Sequence, residues 1–512
     1  MSEVTEPKPE VKTTAGLQSL GWRKAALLAL GAAACFHAAY TPAQSGVLAL
    51  LIVGYVGCLV QLARIRTTRL AFYAGLLTGL LCFGPQLGFF WGIFGLAAIA
   101  LWTILAFWIA LFVVLTHVAL VRFGAKRAVW LVPFLWTGLE YFRSELYYLK
   151  FAWLNVGFAL HGWRLIPLNS LGVYGIGFGV ACLAAVTLVA IRKFFRQITL
   201  VELAAIIAIG AIISCLLLPL IATDKSRATP FNFRMAGAQL DFPTPGEARQ
   251  ALDKLLEENQ SQIDVALGKK VSNNEVGFSL FRLMQHTNVD LIVLPEYTLD
   301  GEPTAQLKDW CLANKKFLIV GGKEAAPGNN FYNTTFVIST NGEVVFKQAK
   351  SVPIQFFKDG LRAPEQRVWE SPWGKIGICI CYDLSYARVT DELVRQGAQL
   401  LIVPTMDVAD WGRHQHELHA RIAPVRAAEY GVPIFRVASS GISQGVDCNG
   451  WVRASAPFPG EGEMIFFGVN LRPERHGSLP LDRWLAPLCL AVTGFFVVWL
   501  AVGKFFIRRF RR

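Results

Sequence analysis

Three residues in the second half of the chain stand where covalent catalysis at a carbonyl would need them: a carboxylate, an ammonium group and a thiol. Glu296 closes the run Leu291-Ile292-Val293-Leu294-Pro295-Glu296, an apolar strand that ends on proline and then an acid. Strand ends in α/β folds are where ligand sites are built. Cys381 closes the run Ile376-Gly377-Ile378-Cys379-Ile380-Cys381. Strand alternation puts Cys379 and Cys381 on one face, with Cys381 at the open end and Cys379 deeper, as packing. The thiolate is the nucleophile, and a free thiol titrates near about 8.5, so Cys381 needs a base or a cation beside it. Between the two lies Phe346-Lys347-Gln348-Ala349-Lys350-Ser351-Val352-Pro353. Lys347 or Lys350 offers an ammonium group to a tetrahedral oxyanion, and losing one such donor costs about 2.7–4 kcal/mol. Taken singly, each residue has a bland reading: an acid after a strand, a solvated lysine, a buried cysteine. Their order, each after a short apolar run of one region, makes the combined case.

The elements that would position them are short strands interleaved with amphipathic helices. Apolar runs occur at Phe233–Gln239, Leu291–Leu294, Phe317–Val320, Thr335–Ile338, Ile376–Cys381, Leu400–Val403 and Ile434–Ala438. Helical patterns fill 247–267, 386–397 and 414–430. That alternation predicts a layered α/β domain over about 231–476. Asn341-Gly342 marks a hairpin, and Thr223–Pro230 reads as the linker that precedes the domain.

The rest of the chain is apolar. Of 512 residues, 54% are hydrophobic and 17% charged, against about 25% charged in a soluble domain. Runs long enough for membrane spans, about 20 residues each, lie near 23–40, 46–63, 70–91, 93–116, 128–146, 171–191, 200–221 and 485–503. The fifth carries Glu140 and Arg143. The expected organisation is a tail at 1–20, about seven spans within 21–222, the domain at 231–476, a last span at 484–503 and a basic tail at 504–512. Arg23 and Lys24, Arg64 to Arg69, Arg122 to Arg127, Arg192 to Arg196, and Lys504 to Arg512 cluster at alternate ends of these spans. The positive-inside rule then places both termini in the cytoplasm and the α/β domain outside. The net charge of +13 follows from this clustering rather than from a nucleic-acid patch, which would interleave basic and aromatic residues. The ten cysteines have neither a disulfide framework nor zinc spacing, and the polar residues 1–20 do not read as a signal peptide. His414, His416 and His419 fall short of the His-Glu-x-x-His metal pattern, and no metal is expected.

Leu-Pro-Glu at 294–296, Asn333-Thr334 before a strand, Gly342 before the lysine strand and Cys-Tyr-Asp at 381–383 resemble the nitrilase (carbon–nitrogen hydrolase) superfamily over about 231–470. The resemblance implies a four-layer α-β-β-α sandwich with Glu296 as general base, Lys350 as oxyanion stabiliser and Cys381 as nucleophile. With the apolar segments included, the chain is similar to the bacterial apolipoprotein N-acyltransferases. Tyr40-Thr41-Pro42, the set Trp136, Glu140 and Arg143, then Phe151-Ala152-Trp153 and Gly157 carry that similarity in the membrane part. Gln415-His416, Ala420-Arg421, Arg426-Ala427 and Glu429 carry it in the domain. It implies an inner-membrane enzyme that moves an acyl chain from a phospholipid to a diacylglyceryl apolipoprotein, without a cofactor. Substrate contacts are expected at Asp383, Trp411, His416 and Glu429, with Ile354–Phe357 and the Trp411 loop as a lipid-facing rim. One departure stands out. That family reads Val-Pro-Phe-Gly-Glu after its lysine, whereas this chain reads Val352-Pro353-Ile354-Gln355-Phe356-Phe357-Lys358-Asp359, with Asp359 the available substitute. A membrane-tethered amidase with water as acceptor would use the same three residues.

Overall fold

A computed structural model describes residues 20–41, 46–160, 167–194, 231–240, 250, 252–253, 289–459, 463–472 and 476–509. The expected span at 200–221, the linker 223–230 and nearly all of the helical stretch 247–267 lie outside them.

The N-terminal part is helical: α1 (Trp22–Ala39), α2 (Gly46–Ala49), α3 (Leu51–Leu62), α4 (Thr68–Gln86), α5 (Phe89–Phe94), α6 (Ala97–Phe123), α7 (Ala125–Tyr141), α8 (Val156–Ala159) and α9 (Leu168–Phe194). Among the described helices, Ala97–Phe123, Leu168–Val186 and Asp482–Val502 are long and apolar enough to cross a membrane. The 27 residues of α6 reach roughly 40 Å at 1.5 Å per residue, more than a bilayer core of about 30 Å. The boundaries differ from the sequence reading in instructive ways. The run 46–63 breaks at Leu50 into α2 and α3, and the run 70–91 stops at Gln86, next to Pro85. The following run begins at Ala97 instead of 93 and continues to Phe123, where Gly124 takes φ +72°. Helix α4 starts on a cap, the Thr67 hydroxyl accepting the Leu70 N–H at 3.2 Å. It then packs on α6 with almost no side chain between: a carbon added at Gly79 would lie 2.6 Å from the Ala106 Cα. Small residues at such contacts are how apolar helices associate in lipid, where burial alone drives nothing.

The motif residues of the membrane part converge on one asparagine. Tyr40 OH donates to the Asn155 carbonyl at 2.7 Å, and Arg143 and Ser144 donate to its side chain at 2.6 and 2.8 Å. Glu140 accepts the next backbone N–H, from Val156, at 2.8 Å. The loop leading into α8 is therefore tied to α1 and α7.

The domain is two six-stranded sheets. One runs β12-β1-β2-β3-β4-β5 and the other β11-β10-β9-β8-β7-β6. Their strands are β1 (Phe233–Ala238), β2 (Leu291–Val293), β3 (Phe317–Ala326), β4 (Asn330–Ile338), β5 (Val344–Ala349), β6 (Val368–Ser371), β7 (Gly374–Ile378), β8 (Leu400–Thr405), β9 (Ile434–Ala438), β10 (Ser443–Val446), β11 (Val452–Ala456) and β12 (Met464–Val469). Each sheet has three parallel strands at its heart, β1-β2-β3 and β7-β8-β9, flanked by antiparallel ones. The Asn341-Gly342 hairpin joins β4 to β5, with Gly342 at φ +77°.

Alternation sorts the side chains into layers. Leu291, Val293, Ile376, Ile378, Leu400 and Ile402 meet between the sheets. Ile292, Leu294, Leu318 and Val320 face outward onto α10 (Ala305–Asn314), through Leu307 and Trp310. Leu401, Val403 and Ile434 face the other way, onto α11 (Ala387–Arg395), α12 (Arg413–Ala420) and α13 (Ile422–Tyr430). The result is the four-layer helix–sheet–sheet–helix sandwich of a nitrilase-like domain beside an α-helical membrane domain. That last apolar layer is continuous with the cores of α1, α3, α6 and α7. After β12 the chain enters α14 (Asp482–Arg509).

Candidate active site

Each candidate residue is delivered by the end of a strand or the turn beyond it. Glu296 follows β2, in a turn where Tyr297 takes φ +55°. Neighbouring β3 passes this turn at Gly321, where an added side-chain carbon would lie 2.5 Å from the Glu296 Cα. Lys350 follows β5 and is fully buried. Cys381 corrects the alternation argument. Strand β7 stops at Ile378, and Cys381 opens a 3₁₀ turn, Cys381–Ser385, at φ +52°. Cys379 packs into the core shared with the outer helices, so the turn, not the pleat, aims Cys381 into the site. A positive φ at a residue with a side chain is strained and clusters at functional positions.

The geometry brings Glu296 and Lys350 together and adds Asp359. Lys350 Nζ donates to Glu296 Oε1 and to Asp359 Oδ2, both at 2.8 Å. Asn333 Nδ2 bridges the same two carboxylates, at 2.6 and 2.8 Å. Asp359 also accepts Tyr297 OH at 2.8 Å and the Ile354 N–H at 2.6 Å. Met406, just past β8, donates its N–H to Glu296 Oε2 at 2.7 Å, and its carbonyl lies 3.7 Å from Cys381 Sγ. Lys347 goes elsewhere: it is half-exposed and pairs with Glu324.

Burial and charge oppose each other in this cluster. Burial pushes the Cys381 thiol well above its usual range, and the Glu296 charge adds to it, so the resting thiol keeps its proton. Burial also raises Glu296, with Lys350 pulling the other way. Burial works against the Lys350 ammonium, but Asp359 and Glu296 outweigh it and hold its pKa well above the lysine range. Asp359 comes out below the carboxylate range, because Lys350 overcomes its burial. Of two acids sharing one cation, Asp359 is thus held toward its ionised form and Glu296 toward its protonated form.

Beside the cluster is an open apolar groove of about 1010 Å³, lined by Phe89, Phe90, Ile93 and Phe94 of α5, Lys150, Trp153, Tyr382, Tyr386 and the Val352–Phe357 loop. A second cavity of about 970 Å³ reaches Tyr297, Asp359 and Met406. Ile354, Phe357 and Trp411 line both, and so form the wall between them. Cys381, buried, lines neither; its neighbour Tyr382 reaches the groove.

The comparisons with known proteins divide along the same line as the fold. The family described as Apolipoprotein N-acyltransferase N-terminal domain matches residues 32–186, and the family described as Carbon-nitrogen hydrolase matches 279–461. An Apolipoprotein N-acyltransferase of Geobacter metallireducens is 26% identical over 66% of this chain and 68% of its own length. One of Shewanella oneidensis is 23% identical over 70% of this chain and 73% of its own. Over about two thirds of its length this chain is similar to the apolipoprotein N-acyltransferases. It is an integral membrane protein. Among solved structures, Nit3 of Saccharomyces cerevisiae, a member of branch 10 of the nitrilase superfamily, is 21% identical over 49% of this chain and 94% of its own, with a TM-score of 0.34.

Of the four expected substrate contacts, Trp411 lines the groove and the cavity just described. Trp411 stands in the shared wall. Asp383 is fully buried and accepts the N–H groups of Ser351, Val352 and Ile380 at 3.0, 2.7 and 3.2 Å, so it pins the lysine segment to the cysteine turn. His416 is fully buried and stacked on Phe458 at 4.2 Å. Glu429 is buried in an ion pair with Arg426 and Arg483 and accepts the Val173 N–H at 3.1 Å, which makes it a tie between α13, α14 and α9. Asp383 and Glu429 are thus engaged by the protein's own groups, whereas both ring nitrogens of His416 are buried without a hydrogen-bond partner. Sequence reasoning also missed Met406, because a backbone N–H leaves no trace in residue type. Asp407 was missed too: it is buried among Arg436, His419 at 2.8 Å and His416 at 3.8 Å.

Proposed function

We propose that this chain is an apolipoprotein N-acyltransferase that works in two half-reactions through a thioester on Cys381. Glu296 takes the thiol proton as sulfur adds to an ester carbonyl of a phospholipid, and the Lys350 ammonium holds the oxyanion. When the intermediate collapses, the alkoxide leaves as lysophospholipid and carries away the proton from Glu296. In the second half, the α-amine of a diacylglyceryl-cysteine adds to the thioester. Glu296 accepts the proton the amine loses, the thiolate departs, and the proton returns to sulfur. Covalent catalysis suits two bulky lipid substrates, because they never need to share the site.

The observation that carries this reading is the Glu296–Lys350–Asp359 cluster beside Cys381, set against a groove walled partly by membrane-domain helix α5. Asp359 supports it further, since it supplies the acid missing from Val352–Phe357. Intact-mass measurement on the purified protein with phospholipid alone should show one added acyl chain, absent in Cys381→Ala and retained in Cys379→Ala. Adding a diacylglyceryl peptide should discharge the adduct onto the peptide amine. Survival of the adduct in Cys381→Ala would refute the mechanism. Release of free fatty acid at one rate, with or without the peptide, would make the protein a hydrolase.

A further inference from the structure

Lys150 lines the apolar groove, Arg388 and Arg362 are its neighbouring cations, and none of the three is ion-paired among the described residues. Lys150, in the loop between α7 and α8, lines the groove, and its carbonyl accepts the Tyr382 and Tyr386 hydroxyls at 3.0 and 3.2 Å. Arg388 lies two residues beyond Tyr386 in the first turn of α11, its Nε buried without a hydrogen-bond partner. Arg362 is exposed on the segment where Ala363 donates its N–H to the Lys350 carbonyl at 2.8 Å. Burial, then the charges of their neighbours, push both Lys150 and Arg388 toward the neutral form, and each feels Arg362. Two carboxylates face them, each partly engaged by other donors: Glu145 offsets some of the charge on both Lys150 and Arg388, and Asp383 some of that on Arg388. Glu145 Oε1 accepts the Ala387 N–H and Tyr174 OH, and Asp383 accepts its three backbone N–H groups.

Three like charges with only Glu145 and Asp383 to offset them repel one another in the empty site, and an arriving anion relieves that repulsion. Two guanidinium groups and an ammonium present more donors, from three directions, than the two coplanar oxygens of one carboxylate can accept, whereas the oxygens of a tetrahedral phosphate can take them. The groove beside them is apolar and takes hydrocarbon. An amphiphile with a phosphate next to its acyl chains fits both halves at once. We propose that Lys150, Arg362 and Arg388 form a phosphate-recognition site, which holds the headgroup phosphate of the phospholipid donor while its acyl chains lie in the adjoining groove. This rests on the acyltransferase reading above. A diacylglyceryl-cysteine carries no phosphate, so the site serves the first half-reaction and leaves the second untouched.

The test compares thioester formation on Cys381 from two donors with the same acyl chains, a phospholipid and a diacylglycerol, using the full chain in detergent micelles. In Arg388→Gln, and separately in Arg362→Gln and Lys150→Gln, the phospholipid-to-diacylglycerol rate ratio should fall about tenfold, the value of one charge-assisted hydrogen bond of about 1.4 kcal/mol. A general loss of activity through poor folding lowers both rates and leaves the ratio where it was. A ratio unmoved in all three variants overturns the site. Failure of the unsubstituted protein to acylate from either donor overturns the acyltransferase reading itself. Millimolar inorganic phosphate should leave the ratio unchanged. A collapse to the variants' value would mean that a free anion fills the cluster as readily as a headgroup, and would overturn the lipid assignment.

Discussion

Two carboxylates share one ammonium group at the site, and that stoichiometry sets how it titrates. A base must be ionised to accept the thiol proton, so acylation should rise with pH through the Glu296 pKa, which burial holds above the ordinary carboxylate range. The Asp359 charge is part of what raises it. Asp359→Asn should therefore move the acid limb of the pH–rate profile to lower pH, while slowing the reaction because Lys350 loses a partner. Glu296→Gln should lose about 10²–10⁴-fold in thioester formation, the usual worth of a positioned base. A limb that stays in place in Asp359→Asn would mean that another group is being titrated. The lysines separate just as clearly. Lys350→Ala should cost about 10²–10³-fold, whereas Lys347→Ala removes a half-exposed pair worth about 0–1 kcal/mol and should leave turnover near normal. The order Glu296, Lys350, Cys381 was legible in the chain because each is a chemically distinctive residue at a strand end. The choice between two lysines three residues apart was not, since it depends on which one the last turn of β5 carries inward. Asn333 was visible only as part of a motif, because its role is to bridge two acids that are 63 residues apart in sequence (296 and 359).

Strands were legible where buried residues are apolar on both faces, and hidden where one face is wet or the buried residues are polar or small. β1, β2, β8 and β9 lie at the heart of their sheets and read as apolar runs close to their observed limits. β5 and β11 are edge strands with mostly exposed residues, and β10 carries Ser443 and Gln444, so none of them announces itself. β3 runs to Ala326, well past its apolar start at Phe317–Val320, because pairing with β4 continues through Lys323 and Glu324 after burial ends. The helical stretch 414–430 is two helices that meet at Arg421, whose Nη2 reaches back to the Tyr40 carbonyl at 3.2 Å. Glu429 is held by an ion pair between elements. Burial opposes its charge, but Arg483 and Arg426 overcome that and pull its pKa down to about 2. A depressed carboxylate stabilises the fold above its unfolded pKa, so this contribution should fade as pH falls from about 4.5 toward 2. Glu429→Gln strands two buried arginines, and breaking such a pair costs about 3–5 kcal/mol. The measurable outcome is a lower melting temperature with an unchanged pH–rate limb and donor KM. A rise in donor KM at unchanged stability would restore Glu429 to the substrate site.

At the scale of the whole molecule, the direction of each helix relates the basic clusters to the catalytic domain. Helix α4 begins at Thr68, beside Arg64, Arg66 and Arg69, and ends at Gln86, whose side chain meets His414 of α12 at 2.9 Å. Its 19 residues put those arginines roughly 28 Å from that contact. Helix α6 returns from the α5 side to Arg122. Helix α7 sets out from Lys126 and Arg127, and the turn after it brings Glu145 to the Ala387 N–H of α11. Helix α14 leaves Asp482, which accepts the Tyr174 N–H at 2.8 Å, and runs to Arg508 and Arg509. In each case the cluster lies at the helix end away from the catalytic domain. Basic flanks stay in the cytoplasm, so that domain should be on the opposite side, seated on the membrane through the apolar layer that α11, α12 and α13 share with the membrane helices. A reporter fused after Arg512, or inserted within 64–69, should be cytoplasmic, and one inserted at 223–230 should be extracytoplasmic. An insertion at 223–230 that reports from the cytoplasm would put the groove, Cys381 and the phosphate site in the leaflet facing the cytoplasm. The lipoprotein substrate would then have to be abandoned even with the chemistry intact.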